Sequence, residues 1–508
     1  MLKWRVPLAI LIYVLGGCNT FTTTAVRSTT SAITVSEIDL VARAGCRNIP
    51  PTPDPVANYN NMMRCLTTVG TAQLAAGIFP ISQYILMPAH TTLSGVSTRP
   101  PTSIITPPPL QKQAWGDTMV VPFSNTKVIA VTDFGNVQDL KIVGNGRLIP
   151  SCCSTILELA GNSGAISNVE VDNLDPLDHP PSSPTTAQVT GIYYGAGGTN
   201  GVKDSKLHDL FHGVIFMSWA QPSPVSKFQD SQITRTACDA LVINGNAIVS
   251  NNVIHGVGEN CENGTPPIGG AAIYAYGNKQ GGTITGNTIY DTCGNGLDLV
   301  NSREFVITNN NVTEDGSSPA TFSNGAYSWC GGGTPGSFVG IQNSKISGNL
   351  FHAFQAPPLG IFLNLFPLPQ WQTVYAVLPQ ASKQLIAVKV LNNPDDGTLT
   401  QLNNFDDNRF IATCDVGGPC IGTGLFVAKG TGLDVNGVTG TATANYFTRN
   451  RVTGSNIGSL RCGADWFAAY FSLLCDKSGV GPMCNDDDSE WIHIKGYRRA
   501  RRTHRATV

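Results

Sequence analysis

Three lines of four residues recur in the middle of this chain: Asn252-Val253-Ile254-His255, Asn287-Thr288-Ile289-Tyr290 and Asn310-Asn311-Val312-Thr313. Each reads asparagine, a variable residue, an aliphatic residue, then a polar or aromatic one. Ile289 and Val312 stand 23 residues apart, a step typical of repeat architectures. A unit this short cannot bury its own apolar side and must stack on its neighbours. The pattern continues upstream through Leu207 and Ile233, and downstream through Phe351, Phe410 and Val452. The step from Ile254 to Ile289 is 35 residues, which leaves room for an inserted loop over 259–269. The wide steps from Val312 to Phe351 and from Phe410 to Val452 fit one or two coils plus loops. Short β runs, Gly and Asn turns and a period of about 22 residues predict an all-β chain wound as a parallel β-helix. The recurring asparagines are expected to hydrogen-bond from coil to coil as a ladder, a structural role.

Composition agrees. Only 13 % of the 508 residues are charged, and 54 are Gly, as suits a solenoid of tight turns. Lys+Arg total 32 against 34 Asp+Glu, so net charge makes no case for a nucleic-acid partner. Residues 1–18 begin with Lys3 and Arg5 and continue with a short apolar run, Val6 to Leu15, too short to span a bilayer. They read as a signal peptide. Leu15-Gly16-Gly17-Cys18 looks like a bacterial lipobox, in which Cys18 would carry lipid and attach the protein to a membrane. Residues 19–35 are a Thr/Ser-rich tether, and no second long apolar segment follows. The expected location is outside the cytosol: periplasmic or cell-surface if bacterial, otherwise secreted. Fourteen cysteines fit an oxidising compartment. Cys46 with Cys65, Cys414 with Cys420 and Cys475 with Cys484 are spaced to staple local loops, and Cys238, Cys261 and Cys293 fall near equivalent turns.

Residues 36–110 read as an N-terminal cap and first coils, 111–460 as the β-helix, and 461–508 as an irregular C-terminal cap with a basic tail. Tyr59, Met62, Met63, Leu66 and Val69 have helical spacing. A helix there would cover the open end of the solenoid and its unpaired strand edge. Then follow Ala76-Gly77-Ile78-Phe79-Pro80-Ile81, Ile85-Leu86-Met87-Pro88 and Thr92-Leu93-Ser94-Gly95. These lines resemble the opening of right-handed parallel β-helix proteins of the pectin-lyase-like (pectate-lyase-like) superfamily, although the usual Gly-Ala-x-Gly-Asp-Gly segment is missing. The resemblance covers roughly residues 70–460. It implies the fold, and it implies no single activity, since lyases, hydrolases, epimerases, esterases and non-enzymes share this architecture.

Stacking the repeats sets side chains in columns. One column runs His208, Thr234, His255, Tyr290, Thr313, His352. The next holds Asp209, Arg235, Gly256, Asp291, Glu314 and Ala353. In the second apolar run the outward residues are Ile215, Val242, Tyr274, Asp298, Gln342 and Phe362. Coils ~4.8 Å apart would bring the charged members within reach of one another. A groove so lined suits a polysaccharide, expected to be acidic. Elimination at a uronate needs neutralisation of the carboxylate, a base for the C5 proton and an acid for the leaving oxygen. The catalytic candidates are Asp298, Asp291, Glu314, His255 and Arg235. Tyr274, Tyr290 and Arg303 are the candidates for substrate binding. Positive charge would come from Arg235, or from Ca²⁺ held by Asp291, Glu314 and Asp298. Hydrolysis by two carboxylates and glycan binding without turnover stay open as alternatives, and the same polar residues would also occupy the turns of any solenoid.

Overall fold

In a computed structural model the chain turns the same corner once per coil. At that corner one residue adopts left-handed backbone: Asp204, Asp230, Asn251, Gly286, Asn309, Gly348, Asp407 and Arg449 have φ between 50° and 67°. Asp, Asn and Gly tolerate this region best. The structure describes residues 44–106, 127–144, 154–173, 189–195, 200–217, 225–257, 270–292, 295–315, 335–354, 384–391, 398–413, 421–428, 445–453 and 460–463. The proposed signal and tether, residues 355–383, residues 464–508 of the C-terminal cap and tail, and Cys261, Cys293, Cys414, Cys420, Cys475 and Cys484 lie outside them.

The described strands form three parallel sheets of twelve strands each. The chain visits the first, second and third sheet in turn, then starts the next coil. The first sheet runs from Thr71–Gln73 to Tyr446–Thr448, the second from Gly77–Pro80 to Arg451–Thr453, and the third from Ile85–Leu86 to Leu460–Gly463. Each strand pairs with its counterparts one coil before and after, as a parallel β-helix requires.

The predicted inward file is present. Ile233 pairs with Ile254, Ile254 with Ile289 and Ile289 with Val312, and all four are fully buried. Val312–Phe351, Phe351–Phe410 and Phe410–Val452 are each a single coil. The longer steps therefore do not break the register of the paired strands.

The asparagine ladder runs along the corner between the first and second sheets. Asn252, Asn287, Asn310, Asn349, Asn408 and Asn450 are buried. Each Nδ2 donates to the Oδ1 of the next at 2.9–3.0 Å. Those same oxygens accept the backbone N–H of the preceding Asn. Ser205 and Ser231 continue the line upstream with shorter side chains.

A helix, Pro55–Thr68, precedes the first strand and buries Met62, Cys65 and Leu66. It starts one turn before the apolar spacing because Asp54 caps it, its side chain accepting from Val56 N at 2.9 Å, with Pro55 in the first turn. The Cys46–Cys65 disulfide ties it to the segment before it. Among the described residues no helix is long and apolar enough to cross a membrane.

Candidate functional site on the second sheet

Three residues after each ladder asparagine, a side chain leaves the outer face of the second sheet. Register places Asp172, His208, Thr234, His255, Tyr290, Thr313 and His352 on consecutive coils, in the predicted order with Asp172 added at the front. The His255 and Tyr290 rings stack at 4.7 Å with 7° between planes. Tyr290 is 40 % exposed. The next residue bends the strand: Asp209, Arg235, Gly256 and Asp291 all have left-handed φ, from 50° to 65°. Gly256 is needed there for space as well, because a Cβ would lie 3.3 Å from Arg235 N.

A continuous ion network leads into this face. Lys141 Nζ sits 2.7 Å from both Glu170 and Asp172. His208 Nε2 is 3.1 Å from Glu170, and its Nδ1 is 2.5 Å from Asp209. Arg235 forks onto Asp209 through Nε and Nη2. The His208 hydrogen bond, then Lys141, lower the Glu170 carboxyl to about 2 against the pull of burial. Burial opposes protonation of His208, but Asp209 and Glu170 outweigh it and raise the imidazole. Burial dominates at Asp172 and raises it, with Lys141 opposing. Glu170, Asp172 and His208 converge closely enough to hold a metal ion, but the Lys141 ammonium already occupies the cation's place between the carboxylates.

His255 differs from His208. Burial first, then the charges of Arg235 and Lys206, lower it below the ordinary 6.5, so at neutral pH it is an uncharged base facing positive groups. The Gln232 amide lies 3.2 Å from its Nε2. Its Nδ1 has no hydrogen-bond partner among the described residues. Beside it runs a groove of about 500 Å³, lined by Arg99, Lys206, Gln232, Asn251 and Val253 with Asp204 and Asp230.

The structure thus gathers three of the predicted residues, His255, Tyr290 and Arg235, on one face. Asp291 and Glu314 follow on the same sheet, and the Glu314 side chain lies outside what the structure describes. Asp298 and Tyr274 pair across one coil on the third sheet, round the next corner. The neighbour of Asp298 on the following coil is Ser337, where the repeat suggested Gln342. Gln342 instead bridges to Arg303 and Gln401 at the corner between the third and first sheets. Phe362 is outside the described residues. Arg303 is therefore one corner away from Asp298, and its Nε donates to Lys279 O at 3.1 Å. Among the described residues Asp291 and Asp298 belong to neither group that converges to metal-binding distance.

Sequence reasoning missed Lys141, Glu170 and Asp172. Carrying the His208 column back by one 36-residue step, from Leu207 to its partner Val171, would have found Asp172 and, beside it, Glu170.

No protein-family model matches this sequence, and no curated protein matches it. Solved structures do. The Dettilon tailspike protein superimposes with a TM-score of 0.51 at 15 % identity, over 81 % of this chain and 65 % of its own. The A-module of the Azotobacter vinelandii mannuronan C-5 epimerase AlgE4 gives 0.50 at 13 %, over 83 % and 95 %. The fold is the right-handed parallel β-helix. This solenoid spans about two thirds of the tailspike's length and nearly all of the A-module's.

Proposed function

We propose that this protein acts on an acidic polysaccharide by β-elimination on the outer face of its second sheet. The observation that carries the reading is His255, held uncharged between Lys206 and Arg235 and stacked on an exposed Tyr290. In this reading Lys206 is the main positive charge for the uronate carboxylate, with Arg235 adding less because it is forked onto Asp209, and this makes the C5 hydrogen acidic. Gln232 Nε2–H donates to the His255 Nε2 lone pair at 3.2 Å, which leaves the ring proton on Nδ1; as substrate displaces that amide, Nε2 removes the C5 proton. The C5–H electrons form the C4–C5 double bond. The C4–O bond breaks towards the glycosidic oxygen, which takes the Tyr290 hydroxyl proton. No water is consumed. The products are one chain with an unsaturated non-reducing end and a partner chain with a new reducing end. The A-module that shares this fold is named for chemistry at C-5 of mannuronan, the same carbon position.

The test is absorbance of unsaturated ends on polymannuronate, polyguluronate, polygalacturonate and glycosaminoglycans. His255→Ala should cut the rate by about 10²–10⁴-fold while polymer binding persists. Reducing ends without unsaturation would replace elimination with hydrolysis. Binding without any turnover would leave a glycan-binding solenoid.

The same reading places the protein outside the cytosol, tethered through Cys18. The Cys46–Cys65 bond and the disulfide-bonded state of Cys238 support it. Membrane-fraction recovery of the wild type, lost in Cys18→Ser, is the expected result.

A further inference from the structure

Most coils turn from the first sheet to the second in two residues, as at Asp204-Ser205, Asp230-Ser231 and Asn251-Asn252. On the second coil the same corner, between Thr92–Ser94 and Ser103–Thr106, takes eight residues, 95–102. This excursion does not stay over its own coil. Gly95 N donates to Gln138 O at 3.0 Å on the third coil. Asn168 Nδ2, at the corner of the fourth, donates to Thr98 O at 3.2 Å. Arg99 Nη2 lies 3.8 Å from Asp204 Oδ1, at the corner of the fifth. Val96 N is tied back to Ser103 Oγ at 3.1 Å. Three coil steps of ~4.8 Å carry Arg99 about 14 Å along the solenoid.

Arg99 thereby joins Asp204, Lys206, Asp230, Gln232 and Val253 in lining the groove beside His255. Gln232 connects that groove to the catalytic face, since its amide lies 3.2 Å from His255 Nε2. The Arg99 side chain is 72 % exposed, and 3.8 Å from Asp204 is an ion pair without a hydrogen bond. Its fork of N–H donors is therefore open to a ligand carboxylate, which it matches in shape. The Asp204 and Asp230 carboxylates can accept sugar hydroxyls. A uronate carries both kinds of group on every ring, and this lining offers a partner for each. One 1,4-linked sugar advances a chain by close to one coil step. With one uronate at His255, the next lies over the coil of Gln232 and the third over the coil of Asp204, where Arg99 stands.

We propose that Arg99 is a substrate-binding residue, forking onto the carboxylate of the uronate two sugars away from the one at His255, so that the groove selects an acidic stretch of chain and not a single acidic sugar. This rests on the acidic-polysaccharide reading of the protein and is independent of the elimination chemistry. The test is calorimetry on the full chain carrying His255→Ala, which prevents turnover. The probes are dimannuronate, hexamannuronate, digalacturonate and hexagalacturonate, with cellohexaose as the neutral control. A dimer cannot span from His255 to Arg99, and a hexamer can. In at least one acidic series the hexamer should bind about tenfold or more tighter than the dimer. Arg99→Ala should weaken that hexamer about tenfold or more, towards the dimer's affinity. Arg99→Lys should recover part of the loss, because the charge stays and the fork goes. Cellohexaose should not respond to either variant. An unchanged urea midpoint reports that both variants fold. If no acidic hexamer binds, if Arg99→Ala moves its affinity by less than about twofold, or if cellohexaose loses as much, the proposal is overturned. Arg99-dependent hexamer binding in a protein that yields no unsaturated ends would uphold this subsite and refute the elimination. Unsaturated ends from a protein whose hexamer affinity ignores Arg99 would do the reverse.

Discussion

Replacing Asn287 with Ala tests whether the ladder sets the geometry of the catalytic face. The side chain is 1 % exposed. Its Oδ1 accepts from the backbone N and from Nδ2 of Asn252, both at 3.0 Å. Its Nδ2 donates to Val249 O at 3.0 Å and to Asn310 Oδ1 at 2.9 Å. Truncation strands two buried donors on Asn252. At about 1–3 kcal/mol for each of the two buried donors left unpaired, the loss should be roughly 2–6 kcal/mol. Thr288→Ala, one residue on and exposed, should stay within about 0.5 kcal/mol. Urea unfolding followed by circular dichroism measures both. Because contacts in a solenoid run mainly between neighbouring coils, hydrogen exchange should accelerate first at Asn252 and Asn287. Asn287 also stands three residues before Tyr290, as Asn252 does before His255, so elimination should fall with stability. A loss below about 1 kcal/mol, or exchange that rises evenly along the chain, would refute the claim that the ladder holds successive coils in register.

Three further outcomes follow from the electrostatics. His255 must be uncharged to act, and its pKa lies below 6.5, so the acid limb of kcat/KM should fall below pH 6.5; a limb at or above that pH would count against His255 as the base. Glu170 is lowered from 4.5 to about 2, so its contribution is complete above pH 4.5 and is lost as pH falls towards about 2; Glu170→Gln should cost at most about 3 kcal/mol at pH 7 and little at pH 2, read from urea midpoints. With Lys206 and Arg235 supplying positive charge, elimination should survive EDTA, while Lys206→Ala should raise KM for the polyuronate; a rate restored only by Ca²⁺ would move the charge from the protein to a metal held near Asp291 and Asp298.

Much of the architecture was legible in the residues alone. Ile233, Ile254, Ile289 and Val312 each need burial and each follow a polar ladder residue, so aligning them aligns everything between. That is why the order His208, Thr234, His255, Tyr290, Thr313, His352 could be read without coordinates. The same logic failed for Gln342. It was matched to Asp298 by the look of its flanking residues, yet it belongs to the next corner, and Ser337 stands beside Asp298. Arg235 was a candidate cation by type, and only its fork onto Asp209 shows how much of its charge is already compensated.

The sequence by itself determined the repeat, the inward file, the ladder and the chemical types along the exposed column, because each coil carries its own copy of those instructions. Only the tertiary structure decided which distant segments become neighbours. The steps between paired residues range from the 21 of Ile233–Ile254 to the 59 of Phe351–Phe410, while the sheet spacing stays at ~4.8 Å. Strands pair across steps of very different length, so linear distance carries no measure of proximity at the corners. The Lys141–Glu170–His208 network and the groove beside Arg99 are built from that closure, one coil laid against the next.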